Sequence, residues 1–215
     1  MLGADIHKLD KTMELPMQTR TRHLLTPLAC AGLLALAACG GGGGGGDSPP
    51  PAPTPLALSG TAATGAALSG AAVTVECASG SATATAAADG GYSVTLADAT
   101  APCLVRASSG MTTYYSLVAA GSASPATVNL TPLTTLLTTQ VLGADPADAF
   151  DDFDAGAQAL LTPAAVMAAR DDLRASLAGQ VDLSGIDPIT TAFVVGDATD
   201  QLLDDFGAAL VAAQL

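Results

Sequence analysis

The 215-residue chain has no tryptophan, only four phenylalanines and three tyrosines, and very few bases. Its histidines, His7 and His23, and its lysines, Lys8 and Lys11, all precede residue 24, and the only cations beyond them are Arg106, Arg170 and Arg174. Over most of the chain a Ser-His-Asp or Cys-His mechanism therefore lacks its base. A lysine Schiff base and a lysine phosphate clamp are missing as well. Zinc, which takes His or several Cys thiolates, finds too few ligands. Nucleic acid is excluded as a partner because its affinity comes from Lys and Arg neutralising phosphates. No apolar run reaches the roughly 20 residues that a spanning helix needs. Much of the 49% hydrophobic content is alanine, so packing alone is expected to give modest stability.

What the chain does have is punctuation. Leu24 to Leu36 is a 13-residue run of apolar and small residues, preceded by Arg20, Arg22 and His23. That is the layout of a secretory signal rather than a membrane span. The run closes on Leu36-Ala37-Ala38-Cys39, and seven glycines follow, Gly40 to Gly46. This junction resembles the lipobox of bacterial lipoproteins. The resemblance implies cleavage before Cys39, lipidation of its thiol, and attachment to the membrane through that lipid. Cys30 fits worse, because the apolar stretch before it is too short. The acidic lead-in with Asp5, Asp10 and Glu14 is foreign to a signal peptide, which makes Met17 the better start. Residues 1–38 are thus read as an upstream extension plus signal peptide.

From Cys39 onward, 17 acidic residues face the three arginines, a net charge of −14. Such a body is repelled by anionic headgroups, so the lipid would have to hold it. Residues 39–55 read as a tether. The glycines are flexible, and five prolines between Ser48 and Pro55 favour a stiff polyproline II spacer. Cys77 and Cys103 remain as a pair, each in a strand-like run. An oxidising compartment favours a disulfide between them over two buried thiols.

Residues 56–130 carry short Ala/Val/Thr/Ser runs broken by Gly, Asp and Pro. The expected strands are Leu58–Ala63, Ala72–Cys77, Ala82–Ala87, Tyr92–Leu96, Cys103–Ser108, Thr113–Ala119 and Thr127–Leu130, with Asp89-Gly90-Gly91 as a hairpin turn. Gly60-Thr-Ala-Ala-Thr-Gly65, Leu68-Ser-Gly-Ala-Ala-Val73-Thr-Val75 and Ala88-Asp-Gly-Gly-Tyr92-Ser-Val94 resemble the carboxypeptidase regulatory-like domain, a transthyretin-like β-sandwich. That resemblance implies a non-enzymatic accessory module with Tyr92 in its core. The cysteine pair is not part of the family pattern. A looser similarity, through the lipobox-polyglycine junction and Asn129-Leu-Thr-Pro-Leu-Thr, is to proteobacterial lipoproteins that join such a sandwich to a helical tail.

Residues 131–215 read as helical. Thr131-Pro132, Asp145-Pro146, Thr162-Pro163 and Asp187-Pro188 each set a capping side chain before a proline. Leu133, Leu136, Leu137 and Val141 form one expected stripe, and Val166, Leu173 and Leu177 another. A last helix starting near Asp197 or Thr199 would bury Leu202, Leu203, Phe206 and Leu210 and turn Asp204 and Asp205 to water. These helices either form a small bundle or fold onto the sandwich. The fold class is therefore α+β: a small transthyretin-like β-sandwich followed by a helical C-terminal region.

Carboxylates are the remaining source of chemistry. Asp145, Asp148, Asp151, Asp152 and Asp154 could take Ca²⁺, but their spacing fails the EF-hand pattern, and aspartates near helix starts are expected anyway. Asp171/Asp172 and Asp204/Asp205 have the same simple explanation, with Arg170 and Arg174 near the first pair for surface pairing. A glycosidase would need two carboxylates across a cleft, which sequence spacing cannot reveal. Of Tyr114-Tyr115, adjacent on a strand, one should be core and one surface. No cofactor is expected. The expectation is a non-enzymatic envelope lipoprotein that binds, scaffolds or displays, with an envelope protein as possible partner. Gly40 after the lipidated cysteine, in place of Asp, points by resemblance to the outer membrane. The alternative is a ligand-, Ca²⁺- or glycan-binding accessory protein of a transporter or hydrolase.

Overall fold

The computed structural model describes residues 55–179 and 181–212, without the side chains of residues 204 and 207–212. The signal segment, Cys39 and the tether up to residue 54 lie outside the described residues, as do the side chains of Asp204 and Leu210.

The described residues form seven strands: β1 (Leu56–Thr61), β2 (Ala72–Ser79), β3 (Ser81–Thr85), β4 (Gly91–Leu96), β5 (Thr100–Ser109), β6 (Thr112–Val118) and β7 (Ala126–Thr127). They form two mostly antiparallel sheets, in the orders β4-β1-β7 and β3-β2-β5-β6. The period of two sorts their side chains. Leu56, Leu58, Tyr92, Val94 and Leu96 of the smaller sheet and Val73, Val75, Cys77, Cys103, Val105 and Ala107 of the larger are buried in one core.

Asp89-Gly90-Gly91 does turn the chain, but it does not make a hairpin, because β3 and β4 lie in different sheets. Gly90, at φ 82°, sits against the end of β1, where its carbonyl accepts from Ala62 N–H at 2.9 Å. That contact carries β4 to β1 rather than back to β3.

Five helices follow among the described residues: α1 (Pro132–Leu142), α2 (Pro146–Asp151), α3 (Ala155–Leu160), α4 (Pro163–Leu177) and α5 (Ala198–Ala212). Thr131, Asp145 and Thr162 cap α1, α2 and α4 through their side-chain oxygens, each with proline at the first turn. Asp197 accepts from Thr199 N–H and Asp200 N–H at the head of α5. The helix expected after Asp187-Pro188 stops at one turn. Asn129 Nδ2 donates to the carbonyls of Pro188 and Thr191, which a helix would have used itself.

The helices fold onto the larger sheet. The outer faces of β5 and β6 are therefore buried too: Leu104 is fully buried and Leu117 nearly so. Helix α1 lies on β6 with Leu133 and Leu137 of the expected stripe buried and Val141 packed against the core, but Leu136 is not on the inward face. Leu136 is 41% exposed, whereas Thr134 and Thr138 are fully buried. A buried threonine is tolerated when its hydroxyl is satisfied locally. Thr138 donates to Thr134 O at 2.7 Å, and Thr134 donates to Tyr115 O at 2.8 Å. Thr134 Oγ1 also accepts from Thr131 N–H at 2.9 Å, completing a capping box. Thr134→Val should strand the Thr131 N–H and leave Tyr115 O with only a long 3.4 Å bond from Thr135 Oγ1, costing about 2 kcal/mol. Leu136→Ser should change stability by less than about 1 kcal/mol. Chemical denaturation of the two variants measures the contrast, and equal losses would reverse the assignment of the buried face.

Candidate functional site

Among the described residues, the outer face of the β4-β1-β7 sheet is left largely open. Ser59 of β1 stands opposite Ser93 of β4 and Thr127 of β7, and Thr61 stands opposite Gly91. A shallow cleft of about 610 Å³ runs over these positions, with Asp89 and Phe193 at its rim. Its floor is small and hydroxylated because every second residue of these strands faces outward, and over the cleft those residues are Ser59, Thr61, Gly91, Ser93 and Thr127. Among the described residues that line it, Asp89 alone is charged, and its Oδ1 accepts from Gly91 N–H at 2.9 Å.

Asn129 builds the far wall. It is buried, its Oδ1 accepts from Thr61 N–H, and its Nδ2 holds the turn at residues 188–191. Thr61 Oγ1 adds a bond to Phe193 O. Tyr92 passes beneath the floor, with its hydroxyl donating to Val128 O. Burial pushes the Tyr92 phenol far above its ordinary range, so it stays a neutral donor rather than an acid-base group. The sequence marked Asn129 only as part of a junction, and its amide role depends on residues about 60 positions away.

Each arginine of the body is engaged in packing. Arg106 lies 4.3 Å over the Phe150 ring and 3.3 Å from Asp151, fastening α2 to β5. Arg170 pairs with Asp187 at 2.9 Å, not with Asp171 or Asp172. Arg174 reaches Asp171 as well as the carbonyls of Leu183 and Ile186. Asp172 instead accepts from Gln140.

The carboxylates considered for Ca²⁺ are exposed and dispersed in role. Asp145 and Asp154 cap α2 and α3, Asp148 sits in the first turn of α2, Asp151 meets Arg106, and Asp152 ends α2. Among the described residues no three His, Cys, Asp or Glu side chains gather to hold a metal. Asp197 is held below the usual carboxylate range, first by the N–H of Val194 and then by that of Asp200. Its capping contribution is therefore present near neutral pH and fades as pH falls below about 4.

Cys77 and Cys103 stand opposite each other in the β2–β5 register with sulfurs 2.05 Å apart. Tyr115 is buried against Phe150, with ring centroids 6.0 Å apart, while Tyr114 is half-buried. Among the described residues no helix is long and apolar enough to cross a membrane. Comparison with protein-family models, curated proteins and solved structures finds no match for the chain.

Proposed function

We propose that the protein is a non-enzymatic lipoprotein of the bacterial envelope, held by acylated Cys39, whose folded body presents the hydroxyl-lined cleft away from the membrane. The anchor in this reading is carried by the Leu36-Ala37-Ala38-Cys39 junction and the glycines after it, and the placement of the cleft by the polarity of β1. Its first residue follows Pro55 directly, where Ser124 Oγ accepts from Ala57 N–H and donates to Pro55 O. The tether would leave the body there, while the cleft surrounds the other end of the strand, at Ser59 to Thr61. Six residues of strand separate the two ends by about 17 Å. The acidic body and its lack of lysine and histidine agree with a module that binds or displays rather than one that catalyses. Seven strands in two sheets, with Tyr92 buried behind Gly90-Gly91, support the transthyretin-like reading of the sandwich. Gly40 after the anchor favours the outer membrane.

The decisive experiment is mass spectrometry of the protein from envelopes. The native chain is expected to begin at Cys39 with fatty acyl groups attached, and Cys39→Ala to accumulate as a precursor that keeps residues 1–38. A normally trimmed and acylated Cys39→Ala product would refute the anchor. The hydroxyl-lined cleft supports a second reading, an accessory protein of a transporter or hydrolase that takes a glycan there, with Ca²⁺ as the other ligand to be tested. Calorimetric titration with Ca²⁺ and a glycan array test it, and silence in both removes it.

A further inference from the structure

Strand β3 ends the larger sheet without any of the devices that usually protect an edge. The opposite edge, β6, is covered by α1: Tyr115 N–H donates to Thr135 Oγ1, and Tyr115 O accepts from Thr134 Oγ1. On β3 the sequence Ser81-Ala-Thr-Ala-Thr85 has no charge, no proline and no bulge. Its backbone direction follows from the turn that precedes it. Cys77 N–H donates to Gly80 O at 3.1 Å, and Ala86 N–H to Ala71 O at 2.9 Å. Those bonds mark one end and the continuation of the β2–β3 ladder, so by alternation the intervening bonded pairs are Val75–Ala82 and Val73–Ala84. The N–H and C=O groups of Ser81, Thr83 and Thr85 consequently point away from β2. All three residues are exposed, and none has a hydrogen-bond partner outside the ladder among the described residues. Strand β4 offers a shorter free edge, at Ser93 and Thr95.

The five residues of β3 read almost the same in both directions about Thr83: alanine on each side, then a hydroxyl residue on each side. A two-fold antiparallel pair requires that symmetry, since residue i of one copy faces residue j of the other and the reverse. We propose that β3 is a homodimerisation edge, pairing with β3 of a second copy of this chain about an axis at Thr83. Thr83 faces Thr83, and Ser81 faces Thr85, so that all six free backbone groups are used. The inward Ala82 and Ala84 are small enough to let the strands close, and the outward hydroxyls form cross-strand pairs. A contact of five residues belongs to the weak, transient class of interfaces. Two bodies of net negative charge meet at an uncharged edge, so association strengthens as salt screens them.

The test uses the full chain with Cys30→Ser and Cys39→Ser, which leaves an introduced cysteine as the only free thiol and removes any dependence on the lipid. In the proposed register, two Thr83→Cys residues have Cα atoms about 5.5 Å apart, within disulfide range. Oxidation should trap Thr83→Cys as a dimer at least about tenfold faster than Thr85→Cys, which has Ser81 opposite it. Ser81→Cys combined with Thr85→Cys should cross-link as readily as Thr83→Cys. Thr83→Lys, which opposes its own charge across the axis on a solvent face, should abolish the dimer seen by sedimentation while leaving the melting curve unchanged. Equal trapping of Thr83→Cys and Thr85→Cys, or an undiminished dimer in the folded Thr83→Lys chain, overturns the proposal. So does a chain that stays monomeric at both low and high salt.

Discussion

Gly60→Ala is expected to lower the melting temperature by at least about 8 °C, the equivalent of some 4 kcal/mol in a domain of this size. The reason is not backbone conformation, since Gly60 has no positive φ. A Cβ at this position would lie 2.0 Å from Val128 O and 2.6 Å from Val128 C, which are backbone atoms that cannot swing aside. Gly60 sits in β1 opposite Tyr92 of β4, on the inward side. The tyrosine hydroxyl reaches past it to the same Val128 carbonyl. A methyl group here would push β1 from the segment after β7, break the Tyr92 bond, and strain the bond from Val128 N–H to Ser59 O. The informative control is Gly70→Ala. Gly70 has φ 70° but nothing within 4 Å of its added Cβ, so only the left-handed cost of about 1–2 kcal/mol applies. A rule that ranks glycines by φ alone predicts the opposite order. Thermal denaturation followed by circular dichroism decides between the two, and a Gly60→Ala chain melting within about 3 °C of the parent would show that the strands can part without loss.

These glycines also mark where the sequence stopped being informative. Strands were legible because Val73-Thr-Val75 and Tyr92-Ser-Val94 alternate, and alternation is a local property. Caps were legible because Thr-Pro and Asp-Pro satisfy helix starts with atoms two or three residues away. Asp187-Pro188 carries the same local signal and still makes only a turn, since Asn129, far off in sequence, captures the carbonyls that would continue it. Leu136 was misjudged for a related reason. Hydrophobic spacing assigns leucine to the inside, but Thr134 finds both a donor and an acceptor on neighbouring backbone, and α1 turns that face to the sheet. The cleft was not legible at all. It is made of serines and threonines that look like filler in a β sequence, and only the pairing of β1 with β4 and β7 brings them onto one surface. Sequence proximity assigns Arg170 and Arg174 to surface pairing with Asp171 and Asp172 and gives Arg106 no role. Arg106 and Arg170 turn out to be clamps between elements distant in the chain.

The largest change available without touching the packing is to remove the Cys77–Cys103 bond. Cys77→Ala with Cys103→Ala should cost about 3.5 kcal/mol, the chain-entropy value for a cross-link spanning 26 residues. The melting point should drop by roughly 7–14 °C. The native state has little to lose directly, because the two residues already face each other in the β2–β5 ladder and the strands stay hydrogen-bonded without the sulfurs. The effect acts through the unfolded chain, which gains freedom when the loop over β3 and β4 is released. It follows that the denaturant dependence should steepen in the double variant, because a looser unfolded chain exposes more surface. A destabilisation with an unchanged slope would instead trace the loss to the small cavity left at Cys103, which is fully buried. The same burial makes the bond slow to reduce. A thiol reagent should cleave it quickly only at denaturant concentrations that unfold the larger sheet, and rapid reduction in buffer would mean that β2 and β5 open locally around it.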